Sequence, residues 1–235
     1  MEKKAYTFDE FCSIVKTLRS PEGCPWDREQ SHESLKPCLL EEAYEVLDGI
    51  ETLEKEGNWD SLCEELGDLL LQIVMHSRIA EEEGYFTLED VIDGISRKMI
   101  RRHPHVFGEK RRVMAGEVPG SWEELKKKEK NPGTVQEQLE EIPPQLPALI
   151  RAQKVQKKKA YLLGDEDGRE VLAEELTGLI RQVRERPADA EEGGELLWKT
   201  ADLLRRDGVY AELALRNKTE EEIAGSGLDK SAKEG

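Results

Sequence analysis

The sequence has no CxxC pair and no cluster of Cys and His at zinc-finger spacing; its four cysteines, Cys12, Cys24, Cys38 and Cys63, stand apart. Buried or free thiols in a reducing compartment are the expected state. There is no apolar run of about 20 residues and no apolar stretch behind Met1-Glu2-Lys3-Lys4-Ala5-Tyr6, so neither a membrane span nor a secretion signal is predicted. A cytoplasmic protein is the expectation. No convincing β-alternating run occurs, which leaves an all-α fold. A basic surplus is missing too: the net charge of −16 argues against a protein that grips a nucleic acid polymer through a basic face. Acidity does not exclude a nucleotide substrate, because bound cations reverse a local field.

What the sequence does have is acid in register. In Leu39-Leu40-Glu41-Glu42-Ala43-Tyr44-Glu45-Val46-Leu47, helical geometry puts Glu41, Glu42 and Glu45 within an arc of about 100°, with Leu39, Ala43, Val46, Leu47 and Ile50 opposite. Further on, Ser61, Glu65, Asp68, Gln72 and His76 form a strip roughly 80° wide, and from Leu66 to Met75 nearly everything outside it is apolar. A helix of that kind is expected inside a bundle, which draws Glu65 and Asp68 toward the interior. An unpaired buried carboxylate costs several kcal/mol, so such groups are protonated, paired with Lys or Arg, or bound to a cation. Neither strip carries a basic residue. Glu41, Glu42, Glu45, Glu65 and Asp68 therefore read as an all-oxygen site for a hard ion, Mg²⁺ or Mn²⁺.

The rest of the chain frames this pair. A length of 235 residues allows one large or two small domains. Thr7-Phe8-Asp9-Glu10 predicts a capping box for a helix running to about Arg19. Ser20-Pro21-Glu22-Gly23-Cys24-Pro25-Trp26-Asp27 predicts a loop presenting Trp26, either to stack on a planar ligand or to plug the bundle end. Thr87-Leu88-Glu89-Asp90 starts another helix that ends before Pro104, with Leu88, Val91, Ile92, Ile95 and Met99 on its apolar face. Its last turns carry Arg97, Lys98, Arg101 and Arg102, more cations than a helix dipole needs, and Lys98 and Arg102 share a face suited to phosphate. From Phe107 to Pro147 the composition shifts to Gly, Pro, Lys and Glu, with a short helical piece near Trp122–Lys126. Helices follow from Leu149, near Val171–Arg186 and near Leu196–Arg206, and the tail from Gly225 reads as disordered.

Glu41-Glu42-x-x-Glu45, then Glu65-x-x-Asp68, resembles the EExxE…ExxD signature of the MazG nucleoside triphosphate pyrophosphohydrolases. Gly23-Cys24-Pro25-Trp26-Asp27, Glu65-Leu66-Gly67-Asp68-Leu69-Leu70 and Arg101-Arg102-His103-Pro104-His105-Val106-Phe107 are similar as well. Glu174-Glu175 and Glu192-x-x-Glu195 look like a second copy of the motif. That copy has Gly178 for the third glutamate, Glu195 for the aspartate, and Glu220-Glu221-Glu222 where arginines are expected.

The resemblance implies hydrolysis of a nucleoside triphosphate to the monophosphate and pyrophosphate, with the five acids as Mg²⁺ ligands and Mn²⁺ as a possible substitute. Trp26, Lys98, Arg101 and Arg102 would bind the substrate. It further implies two MazG-like helical halves in an all-α fold: a catalytic domain over 1–108, a linker or arm over 109–146, a degenerate copy over 147–224 and a tail over 225–235. Dimerisation would complete the bundle. Two rivals remain at this level. One is a di-iron carboxylate bundle, for which the chain offers a single Glu-x-x-His, Glu29 to His32. The other is a helical bundle that binds nucleotide or a protein partner without turnover.

Overall fold

A computed structural model of the chain describes residues 5–108, 133–164 and 168–226. The chain divides into two compact units, Met1–Trp122 and Glu123–Gly235. Among the described residues every regular element is a helix, as expected, and none is long and apolar enough to cross a membrane. The first unit contains α1 (Phe8–Leu18), α2 (Pro25–Glu29), α3 (Lys36–Glu56), α4 (Asp60–Glu82), α5 (Leu88–Arg102) and α6 (Pro104–Phe107). The second contains α7 (Val135–Glu140), α8 (Ala148–Leu163), α9 (Arg169–Glu185), α10 (Ala190–Arg206) and α11 (Ala211–Ser226). The helical piece expected near Trp122, residues 109–132 of the expected linker and the tail from 227 lie outside the described residues.

Local chemistry sets the ends of these helices. Thr7 caps α1, its hydroxyl accepting from the Glu10 N–H while the Glu10 carboxylate accepts from the Thr7 N–H, and Thr87 and Asp90 do the same for α5. Such caps contribute about 1 kcal/mol each. Gly57, at φ 70°, closes α3 by donating its N–H to the Leu53 carbonyl, and Gly84, at φ 76°, closes α4. One expectation is corrected here. Pro25 does not keep Trp26 on a loop; it sits at the first helical position of α2, where its missing N–H goes unneeded, and Trp26 rides on that short helix at 61% exposure. It plugs no core.

Packing in the first unit centres on the α3–α4 hairpin, whose connection is only Gly57-Asn58-Trp59. Gly49, buried on α3, lets the two helices close up near that turn: a Cβ there would stand 2.8 Å from Leu62 Cα. The core gathers Val15 of α1, Leu35, and Val74, Met75 and Ile79 of α4, with Phe11, Cys12, Cys38, Leu71 and Leu88 against it. Among the described residues, α4 buries side chains only from Gln72 onward, and not all of them. Leu66 is 50% exposed and Ile73 43%, so the apolar wrap that predicted a bundle interior is half unmet within one chain.

Arg19 holds the segment after α1 in place. Its guanidinium donates to the Asp27 and Gln30 carbonyls at 2.6 and 3.1 Å and to the Glu82 carboxylate at 2.7 Å, with its own side chain 5% exposed. The second unit has a polar tie of its own. Buried Gln153 on α8 donates to the Ala201 and Val209 carbonyls and accepts from the Ala211 N–H, which fixes α10 and α11 against α8.

Candidate active site

Two helices supply the carboxylates, and the 3.6-residue period aims them at each other. Glu42, Glu45 and Glu65 each offer a carboxylate oxygen within 4.8 Å of the other two. The Glu45 carboxyl stands close enough to both others to raise their pKa values. Burial first, then the charges of Asp68 and Glu45, push the Glu42 carboxyl above the ordinary range. Burial, then Glu45, Glu64 and Asp68, do the same to Glu65. Asp68 is thus part of the same field although it lies outside the triangle of three. Glu41 is exposed and outside that triangle too.

No Lys or Arg pairs with any of these five acids among the described residues. The hairpin therefore gathers negative charge that no Lys or Arg among the described residues neutralises. An all-oxygen donor set of this density, with the Glu42 and Glu65 carboxyls pushed up and no Lys or Arg partner among the described residues, fits a hard divalent ion such as Mg²⁺.

The remaining residues of the acidic strip run down α4 into the core. Gln72 is 6% exposed, and its Oε1 and the Nε2 of His76 are buried with no hydrogen-bond partner among the described residues. His76 meets His32 edge to edge, Nδ1 to Nδ1 at 2.8 Å, with the rings coplanar to 2°. One nitrogen donates and the other accepts, so the bond requires a single proton between them. This pairing was not foreseen, since 44 residues separate the partners.

Burial, reinforced by His32, lowers the His76 pKa. The sign follows: the unfolded chain takes up the proton first as pH falls below about 6.5, so the stability associated with a neutral His76 is complete above that value and is lost as pH falls through the folded pKa. Urea midpoints at pH 7.5 and pH 5.5 are expected to fall further for the natural chain than for His76→Gln. Equal falls would assign the loss to other groups.

The cations lie on α5, which packs on α4. Arg97 is engaged by Asp93 at 2.6 Å, whereas Lys98 is exposed and makes no ion pair among the described residues. Arg101 and Arg102 occupy the last turn of α5 and have interactions of their own.

The second unit brings its motif residues together differently. Glu175 on α9 and Glu195 on α10 both accept from Lys199, at 2.7 and 3.2 Å. Glu192 binds the Arg186 guanidinium and caps α10 through the Asp189 N–H.

Residues 30–107 match the model of the MazG nucleotide pyrophosphohydrolase domain. The chain is 42% identical over 222 residues to the nucleoside triphosphate pyrophosphohydrolase/pyrophosphatase MazG of Thermotoga maritima, covering 93% of this chain and 84% of that protein. It is 40% identical over 223 residues to the nucleoside triphosphate pyrophosphohydrolase of Escherichia coli K12, covering 90% and 82%. It is also 49% identical over 157 residues to the uncharacterized protein YabN of Bacillus subtilis, which spans 66% of this chain but 31% of that longer protein.

Proposed function

The chain belongs to the MazG nucleotide pyrophosphohydrolase family, and from that premise we propose that its first unit hydrolyses nucleoside triphosphates to the monophosphate and pyrophosphate with Mg²⁺ as cofactor. The observation that carries this reading is the uncompensated triangle of Glu42, Glu45 and Glu65 inside the matched region. A triphosphate brings about four negative charges at neutral pH, and carboxylates alone would repel it. A bound divalent ion supplies the bridging charge and acidifies water.

Glu42, Glu45, Glu65 and Asp68 would hold the ion together with Glu41, and one of these carboxylates would orient the attacking water. Lys98, Arg101 and Arg102 would meet the phosphates and offset charge on the leaving pyrophosphate, the electrostatic work that dominates phosphoryl chemistry. Trp26 offers an exposed aromatic face for the base. Catalysis belongs to the first unit, and the second serves as a degenerate copy. The setting is the cytoplasm, with no membrane or nucleic acid polymer as partner.

Release of pyrophosphate from a nucleoside triphosphate, dependent on Mg²⁺ or Mn²⁺, tests the activity directly. Nucleotide binding without release would instead support the non-catalytic bundle. The exposed apolar residues of α4 and α5, among them Leu66, Ile73, Ile92 and Ile95, favour a homodimer or higher homo-oligomer that completes the bundle. Light scattering at micromolar concentration is expected to give the mass of at least two chains, and a monomer mass would remove this part of the proposal.

A further inference from the structure

The two copies of the motif can be laid side by side. Glu65-x-x-Asp68 is followed four residues later by Gln72, and Glu192-x-x-Glu195 is followed at the same spacing by Lys199. Glu42 and Glu175 occupy matching places on the preceding helix of each hairpin. In the first copy the residue after the motif is an amide and the acids have no protein cation among the described residues. In the second, the Lys199 ammonium reaches across the hairpin, 2.7 Å from Glu175 Oε2 on α9 and 3.2 Å from Glu195 Oε1 on its own helix. The Lys199 side chain is 21% exposed, so the pair is partly withdrawn from water.

Glu192 is engaged as well, by Arg186 and by the cap of α10. The third glutamate of the motif is absent, with Gly178 in its place. Of the acids in the second copy only Glu174 lacks a protein cation among the described residues.

We propose that Lys199, assisted by Arg186, is the resident cation of the second unit: its ammonium stands where a divalent ion would bridge the two helices, so this unit keeps the carboxylate hairpin as a metal-independent structural module. An ammonium on a tether has a high effective concentration at the acids and needs no free metal to hold α9 against α10. Mutual attraction of one cation with two carboxylates also raises the Lys199 pKa, through the Glu175 bond foremost, so the charge persists throughout the physiological range. The proposal rests on reading Glu42, Glu45 and Glu65 as cation ligands in the first unit, and the experiment below separates the two.

Mn²⁺ binding to the full chain is followed by the loss of the free-ion electron paramagnetic resonance signal. The natural chain and Glu42→Gln report on the first unit alone: a site lost in Glu42→Gln belongs there, and its failure to appear would count against the first-unit reading without touching Lys199. In the Glu42→Gln background, Lys199→Gln is expected to raise Mn²⁺ affinity at the second unit at least tenfold. Adding Glu175→Gln is expected to remove that gain. A thermal scan provides the second readout: Lys199→Gln lowers the midpoint of the second unit without metal, and millimolar Mn²⁺ restores it, whereas the same ion leaves Lys199→Gln/Glu175→Gln unchanged. The proposal is overturned if the Glu42→Gln chain already binds Mn²⁺ through Glu175, or if Lys199→Gln changes neither affinity nor the response to Mn²⁺.

Discussion

Glu42→Gln is expected to lower pyrophosphate release by more than about a hundredfold, because even outer partners of metal ligands cost about 10–100-fold when removed and Glu42 is one of the three acids proposed to hold the ion. Asp68→Asn should act in the same direction. Stability without metal is expected to move the other way. The Glu42 pKa is raised by burial and by neighbouring acids, so the folded state prefers the protonated group and at neutral pH the ionised one works against folding. An amide is neutral like the protonated acid, which removes that penalty and leaves the apo melting point equal to or above that of the natural chain. The natural chain should gain stability from the same group as pH falls toward its raised pKa. Saturating Mg²⁺ reverses the order, since only the natural chain gains RT ln(1 + [Mg²⁺]/Kd). Glu175→Gln, by contrast, should leave the rate within about twofold, because Glu175 belongs to the other unit and is none of the proposed site residues. Activity near normal in Glu42→Gln, or equal damage from Glu175→Gln, would sink the assignment of the site to the first unit.

Gly49→Val is expected to be the most damaging change to the fold of the first unit. A Cβ at this position meets Leu62 Cα at 2.8 Å and Leu62 N at 3.0 Å, and these are main-chain atoms that cannot rotate away. The helices must separate, at a cost of about 3 kcal/mol on the scale of overpacked cores. Gly49 lies one turn beyond Glu45 and Leu62 lies just before Glu65, so the same separation opens the carboxylate triangle. Denaturant midpoint and Mn²⁺ affinity should therefore fall together. Gly193→Ala is the control, because a Cβ there meets nothing within 4 Å and a helix gains up to about 1 kcal/mol from the exchange. A well-folded Gly49→Val chain with normal metal affinity would refute this account of the hairpin.

How much of this could be read beforehand depended on range along the chain. The capping boxes at Thr7 and Thr87 are relations within three residues, and helical periodicity put Glu41, Glu42 and Glu45 on one strip and Glu65 and Asp68 on another; the hairpin brings Glu42, Glu45 and Glu65 together and leaves Glu41 and Asp68 outside that triangle. Pro25 misled because the same residue that breaks a helix interior also starts one. Helix α11 went unread because Leu213, Leu215 and Ile223 share no single face. The buried glutamines of α8 look like surface residues until the carbonyls of Ala201, Val209 and Trp198 are brought to them. Lys199 was legible as an i+4 partner of Glu195, but its bond to Glu175 crosses 24 residues and needed the hairpin.

The brevity of the Gly57-Asn58-Trp59 connection has a kinetic side. Closing a short loop takes little chain entropy, so contacts between α3 and α4 are among the least expensive in the molecule to form and belong early on the folding path. Ligands that assemble early hand their binding energy to the transition state as well as to the native state. With the acids of this hairpin holding Mg²⁺ as proposed, magnesium present during refolding is expected to quicken the folding limb of the chevron and leave unfolding nearly untouched, so the ion would act on the nascent protein as a nucleating agent before it ever meets a nucleotide.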